Sequence, residues 1–369
     1  MSRKELPKQL IKFIEHKGEK RPRSLLEIAA ERLEGLIDES RRFICTSENY
    51  RDAIRKDIEA FSDKAGNERI LGEPVGRDTV NAVGLAAAVL HKLDRKAVFA
   101  VLTADHIIEP HDVFRDRMDL GFRLVEDDPS RLVTFSIKPT YSATGFGYVE
   151  RGTPIRDITP AKGTKDTKAD SKLAFHVERF VEKPDLPRAQ AYLESGTFGW
   201  NSGMFVWKAE TFLNALKKYK PENHEGLMKV ADAWGTKKQK VVLEEVYPTL
   251  PKISVDYAVM EPASKDKKHE FSICTVLMDL KWLDVGSWPS YAETVAPDKA
   301  GNRTTGAGEA LIVKGRNNLV VNAADGHLVS LLGCEDMIVI HTKDATLVMP
   351  RARAEELKEL HSAVADDLK

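Results

Sequence analysis

Residues 97–106 read AVFAVLTADH, an apolar run from Ala97 to Leu102 that passes directly into Thr103, Ala104, Asp105 and His106. Such a run reads as a strand buried on both faces, the kind that parallel sheets use. Asp105 stands at its C-terminal end, where open α/β sheets place their ligands. Upstream, Ser24 and Glu27 have capping-box spacing, and Leu25, Leu26, Ala29, Leu33 and Leu36 recur on one face. That pattern predicts a helix over 25–37. Residues 42–46 (RFICT) read as a short buried strand, and Asp78 can cap a helix over 80–90. Downstream, a helical stretch around 113–124 precedes a strand over 132–137. Strands alternating with helices predict an α/β fold, doubly wound, with a mostly parallel sheet covered on both faces.

The pattern changes after Tyr148. Residues 152–172 are rich in Thr, Lys, Asp and Pro and read mainly as a surface loop. Strands follow over 175–181, 204–207 and 271–280, with a helix over 209–219. A boundary is expected near 297–303 (PDKAGNR), dividing the chain into a large α/β domain, 1–297, and a small C-terminal β unit, 298–369. Short apolar runs at 310–313, 318–321, 328–332, 337–340 and 345–349 suggest a β-helix-like coil. An amphipathic helix over 354–368 closes the chain.

Composition narrows the function classes. Of 369 residues, 42% are hydrophobic and 31% charged, the balance of a soluble globular protein. A formal net charge of −1 gives no basic field to recruit nucleic acid or an anionic membrane, so anionic ligands must be held by local groups. No apolar run has the length of a membrane span, and the charged start lacks a signal peptide's apolar core. Three scattered cysteines, Cys45, Cys274 and Cys334, offer neither a metal spacing nor a disulfide framework, which points to the cytoplasm. The ten histidines form no metal-ligand cluster by spacing, and no Gly-x-Ser-x-Gly elbow marks a hydrolase.

Chemistry resides in a series of short motifs. In order they are Pro7-Lys8-Gln9, Gly72-Glu73-Pro74-Val75-Gly76-Arg77-Asp78-Thr79, Leu102-Thr103-Ala104-Asp105-His106 and Gly145-Phe146-Gly147-Tyr148. They continue with Phe180-Val181-Glu182-Lys183-Pro184, Trp200-Asn201-Ser202-Gly203-Met204-Phe205, Ser254-Val255-Asp256-Tyr257-Ala258-Val259-Met260-Glu261 and Trp282-Leu283-Asp284-Val285-Gly286-Ser287-Trp288. Each alone is weak, but in this order the series resembles the mannose-1-phosphate guanylyltransferases of the nucleotidyltransferase family over the whole chain. The resemblance implies transfer of GMP from GTP to α-D-mannose 1-phosphate with Mg²⁺, giving GDP-mannose and pyrophosphate.

Joining two phosphate anions requires screening of their repulsion and alignment of the attacking oxygen. Asp105 and Asp284, each at a strand end, can hold Mg²⁺ through oxygen, and the resemblance implies the same pair as metal ligands. Arg77, just before the helix capped by Asp78, can face an anion together with the helix N-terminus, and Gly76 permits close contact with a base or ribose. Lys8 matches a phosphate-contacting lysine of the family, so Lys8, Asp105 and Asp284 form the expected catalytic set. Glycines around Gly147 and Tyr148 would let amides approach sugar hydroxyls; Glu182 can accept two hydroxyl hydrogen bonds, and Lys183 offers a point charge. Asn201 suits sugar hydroxyls, and Asp256, in a stretch of expected helix, takes a supporting role.

The family opens with a strand and a loop of Gly-x-Gly-Thr-Arg type, and Met1-Ser2-Arg3 lines up after that loop. The expectation is that Met1 is an internal methionine and that the natural protein begins upstream. Two rivals stay open on sequence: another hexose 1-phosphate or nucleotide as substrate, and a non-catalytic sugar-nucleotide-binding subunit. The expected partners are the two small substrates, with no nucleic acid and no membrane, and homo-oligomerisation is left open.

Overall fold

Apolar strands alternating with amphipathic helices can hide both faces only in a sheet flanked by helices, and the computed structural model has this α/β build. It describes residues 7–14, 21–161, 170–266, 268 and 270–364. The Met1-Ser2-Arg3 entry, the middle of the expected 152–172 loop and the end of the expected last helix lie outside the described residues. Compactness groups Arg32–Thr103 with Ile108–Trp282 as a larger unit, and Met1–Glu31, Ala104–Ile107 and Leu283–Lys369 as a smaller one. This grouping differs from the linear division at 297. The reason is a shared apolar cluster in the smaller unit, where Ile14, Leu25, Ile28, Ile107 and Val285 pack with Leu319 and Ile338.

In the larger unit a six-stranded sheet runs Val98–Val101, Phe198–Lys208, Arg131–Ile137, Ser272–Met278, Ala174–Val181, Tyr148–Pro154. Alternation of period two divides its side chains between two covered faces. Leu132, Phe205, Trp207 and Ile273 meet Val80, Leu85, Leu216 and Leu227 of the helices Thr79–Leu93, Ala209–Tyr219 and Pro221–Ala233. Val133, Phe135, Val206, Cys274 and Val276 meet Phe114, Met118 and Leu124 of the helix His111–Asp127. The sheet is mixed rather than mostly parallel. Arg131–Ile137 and Ser272–Met278 run parallel, while Phe198–Lys208 is antiparallel to three neighbours, Tyr148–Pro154 among them, and so closes the sheet on itself. Strand direction follows the connections: no α-helix is described between Tyr148–Pro154 and Ala174–Val181, and strands joined without a crossover helix pair antiparallel. Ile44–Ser47 and Ile70–Glu73 form a separate parallel pair. Ile44–Ser47 and the sheet's edge strand Val98–Val101 are half-buried, not fully covered as their apolar sequences suggest.

Local signals hold where they are local. Ser24 Oγ accepts from the Glu27 amide at 3.2 Å and Glu27 Oε2 from the Ser24 amide at 2.7 Å, a complete capping box. The helix it starts spans Leu25–Glu31 and stops short of 37: Gly35 has a φ of +79°, and Leu33 and Leu36 pack in the larger unit's core instead. Asp78 accepts from the Thr79 amide at the start of its helix. No helix among the described residues is long and apolar enough to cross a membrane.

The C-terminal coil of the smaller unit stacks Arg303–Thr305, Leu319–Asn322 and Met337–His341 in parallel, and pairs Glu309–Val313 with Leu328–Leu332. The last segment turns through Arg351–Glu356 into a short helix, Leu357–Ala363. Stacked turns bury backbone groups that need partners, and asparagines supply them. Asn318, fully buried, donates from Nδ2 to Asn302 Oδ1 (3.0 Å) and to the Cys334 carbonyl (2.8 Å), and its Oδ1 accepts from the Met337 amide (2.9 Å). Asn318→Ala would leave the Met337 amide unpaired, while the Cys334 carbonyl keeps the Arg316 amide at 3.1 Å. It should lower stability by about 1–3 kcal/mol, read as a lower urea midpoint at unchanged m-value.

Candidate functional site

In the smaller unit, two segments distant in sequence are tied by a main-chain bond from the Val285 amide to the Asp105 carbonyl, 2.9 Å. The bond sets Asp105 beside Asp284. One ligand atom each of Asp105, His106 and Asp284 lies within 4.8 Å of the others. Lys8 completes the group, with Nζ 2.9 Å from Asp105 Oδ2 and donating to the Val285 carbonyl at 3.2 Å. The expected trio of Lys8, Asp105 and Asp284 is therefore assembled. A Cβ at Gly286 would stand 3.0 Å from Asp284 Oδ1, so glycine leaves that carboxylate room. Burial, then the Asp105 charge, pushes the Asp284 carboxyl up to about 6. Burial also acts upward on Asp105, but His106 and Lys8 draw it below the usual range. Two part-buried carboxylates facing one ammonium favour a further positive charge, and their oxygens suit a hard divalent cation.

In the larger unit, the expected sugar-side residues come together. Lys183 Nζ lies 3.0 Å from Glu182 Oε1, on a backbone with φ +46°. A Cβ at Gly147 would fall 2.5 Å from Glu182 Oε2 and 3.3 Å from Asn201 Cβ. A side chain at residue 147 would therefore have to displace the Glu182 carboxylate. Asn201 donates from Nδ2 to Asp256 Oδ1 at 2.9 Å, and its Oδ1 accepts from Thr134 Oγ1 (2.8 Å) and from the Gly203 amide (3.3 Å). Asp256 opens a π-helical segment, Asp256–Met260, within the expected helical stretch; such turns are frequent at functional sites. Burial, then Glu182, pushes its carboxyl up to about 7. The Tyr148 side chain is fully buried and its hydroxyl donates to the Ala143 carbonyl at 2.9 Å, which leaves its main chain as the part that could meet a sugar.

In the same unit Arg77 precedes the Thr79–Leu93 helix, and its Nε is buried without a hydrogen-bond partner. A methyl group at Gly76 would meet nothing within 4 Å, so that glycine faces open space.

The family model described as "Nucleotidyl transferase" matches residues 4–300. The chain belongs to the nucleotidyl transferase family. A second model, "MannoseP isomerase/GMP-like beta-helix domain", matches residues 308–362, the C-terminal coil. Among nucleotidyl transferases, the mannose-1-phosphate guanylyltransferase of Klebsiella pneumoniae is 34% identical over 97% of this chain and 69% of its own length. That of Escherichia coli K12 is 35% identical over 93% of this chain and 67% of its own. The solved structure described as mannose-1-phosphate geranyltransferase from Thermus thermophilus matches with a TM-score of 0.77 and 28% identity, covering 98% of this chain and 93% of that one.

Sequence reasoning missed Glu73 and Thr134. Glu73, in the same motif as Gly76 and Arg77, accepts from the Tyr247 hydroxyl at 2.6 Å, and burial raises its carboxyl above the ordinary range. An acidic residue ending a strand within a nucleotidyl transferase motif was the available signal. Thr134 offered none, because its role is set by the strand facing it.

The aspartate pair yields a prediction with two opposite signs. In chelator-treated protein at pH 7, Asp284→Asn removes a carboxylate held above its unfolded pKa, and should raise stability by about 1–2 kcal/mol. The same variant should bind Mn²⁺ or Mg²⁺ at least about tenfold more weakly by calorimetry. A stability loss with unchanged cation binding would remove Asp284 from the site.

Proposed function

We propose that the protein transfers GMP from GTP to α-D-mannose 1-phosphate, giving GDP-mannose and pyrophosphate. The observation that carries this reading is the Lys8–Asp105–Asp284 cluster in a chain 34% identical to a mannose-1-phosphate guanylyltransferase over nearly its full length. An oxygen of the sugar phosphate attacks the α-phosphorus of GTP, and the bond from that phosphorus to the pyrophosphate oxygen breaks. Asp105 and Asp284 would hold Mg²⁺, which when bound screens the phosphate charges and orients them. Lys8 adds a fixed ammonium to the same group, and its bond to the Val285 carbonyl keeps that ammonium in place.

On the nucleotide side, Arg77 with the helix start behind it suits an anionic phosphate, and Gly76 leaves open space beside them. Glu73 supports guanine in particular, since a carboxylate can accept from the N1–H and N2–H₂ donors that adenine and the pyrimidines do not present together. On the sugar side, Glu182 accepts hydroxyl hydrogen bonds and Lys183 meets the phosphate. Asn201 positions Asp256, because its own oxygen already has two donors. The three cysteines are free thiols, which suits a reducing cytoplasm.

A pyrophosphate-release assay over four nucleoside triphosphates and several hexose 1-phosphates tests the assignment. GTP with mannose 1-phosphate should give the highest kcat/KM. No pyrophosphate from any pair would mark a non-catalytic binding subunit instead. Lys183→Ala should raise KM for the sugar phosphate about tenfold or more while leaving KM for GTP nearly unchanged. An equal rise in both constants would make the lysine structural.

A further inference from the structure

We infer that Tyr247 is a positioning residue of the nucleotide site, whose hydroxyl fixes the Glu73 carboxylate so that it can meet both donors of guanine at once. The inference rests on the reading of Glu73 proposed above and deepens it.

Glu73 ends the strand Ile70–Glu73, half-buried, with open space at Gly76 a few residues on. On its own such a side chain has several staggered positions to choose from. Two bonds select one of them. The Tyr247 hydroxyl donates to Glu73 Oε1 at 2.6 Å, and the Arg77 amide donates to the same carboxylate. Tyr247 comes from 174 residues further along the chain and is fully buried, packed in one core cluster with Val80, Leu227 and Leu250. Its hydroxyl is therefore placed by packing before any ligand arrives. Burial and the Glu73 charge hold the tyrosine proton on, so the hydroxyl stays a donor.

The bond belongs to a row. The residues after Tyr247 run along the turn that carries Gly76 and Arg77. Asn81 Nδ2 donates to the Arg77 carbonyl (2.7 Å) and to the Pro251 carbonyl (2.9 Å), and Asn223 Nδ2 in turn donates to Asn81 Oδ1 (2.8 Å). The Val80 amide donates to the Ile253 carbonyl at 3.3 Å, and the Val255 amide to Thr79 Oγ1 at 2.9 Å. These contacts hold the turn as backbone. Of the row, only the bond from Tyr247 ends on a charged side chain.

Counting acceptors gives that bond its meaning. An ionised carboxylate offers about four acceptor sites. The tyrosine hydroxyl and the Arg77 amide fill two, and two remain. Guanine presents N1–H and N2–H₂ side by side, which matches two sites of one fixed carboxylate. A carboxylate free to rotate would meet one donor at a time, and hypoxanthine, with N1–H alone, would serve it as well. Tyr247 thus turns an acidic side chain into one that registers the 2-amino group.

Calorimetric titration of the full chain with GTP and with inosine 5′-triphosphate, which lacks that amino group, tests this. The proteins are the wild type, Tyr247→Phe, Glu73→Gln and the double variant. Phenylalanine keeps the ring in the core and removes only the hydroxyl. The wild type should prefer GTP by about tenfold, the worth of one hydrogen bond to a charged group. In Tyr247→Phe the preference should shrink to about twofold, through weaker GTP binding, with mannose 1-phosphate affinity unchanged. Equal weakening of both nucleotides would make Tyr247 purely structural, and an undiminished preference would overturn the inference too. In Glu73→Gln the hydroxyl has no carboxylate to hold, so adding Tyr247→Phe should leave the nucleotide ratio where it was. The double variant strands no carboxylate without its donor, which keeps the test open if the single variant is unstable. A ratio different from that of Glu73→Gln alone would overturn the inference. A wild type with no preference for GTP would instead remove the guanine reading of Glu73 itself, an outcome seen before any variant is compared.

Discussion

Two carboxyl groups against one ammonium is the charge constraint on which both functional groupings depend. In the smaller unit it is Asp105 and Asp284 with Lys8; in the larger, Glu182 and Asp256 with Lys183. Both sets are part-buried, so desolvation weighs on every charge in them. The smaller set also has His106, 3.8 Å from Asp105, as a second basic group. Asp284 has Gly286 beside it and a carboxylate with ligand-grade spacing to Asp105, an arrangement that takes a cation. Asp256 is part-buried and takes the Asn201 amide at 2.9 Å.

The scaffold supplies these groupings from distant parts of the chain. Asp105 and Asp284 meet because a main-chain bond joins Val285 to Asp105, and the apolar cluster of Ile107, Val285, Leu319 and Ile338 holds their segments together. Glu182 fits because residue 147 has no side chain. Catalytic geometry here is as much a matter of absent atoms as of present ones.

Much of this was legible in the sequence where the determinant is local. The Ser24–Glu27 capping box, the Asp78 cap and the alternation of covered strands follow from neighbours a few residues away. The ordered motifs brought Asp105 and Asp284 to notice because strand ends are where ligands sit. What sequence reasoning missed depends on partners far along the chain. Strand direction depends on the route between strands, so a mixed sheet looked parallel. The bond from the Tyr148 hydroxyl to the Ala143 carbonyl, and the one Asn201 takes from Thr134 across the sheet, are announced by no spacing in the sequence. The helix over 25–37 ends early because its later leucines belong to another core.

The strand Phe198–Lys208 is antiparallel to three others and closes the sheet on itself. A strand bonded on both edges has no free side along which to peel, so its amides exchange with solvent only through large-scale opening. Asn201 lies on that strand, and Thr134 on one of its neighbours. The Asn201–Thr134 contact is thus among the last parts of the molecule to breathe. The turn at Glu182 and Lys183 lies off that strand, with a non-glycine residue at positive φ and a half-exposed lysine tied to Glu182 at 3.0 Å.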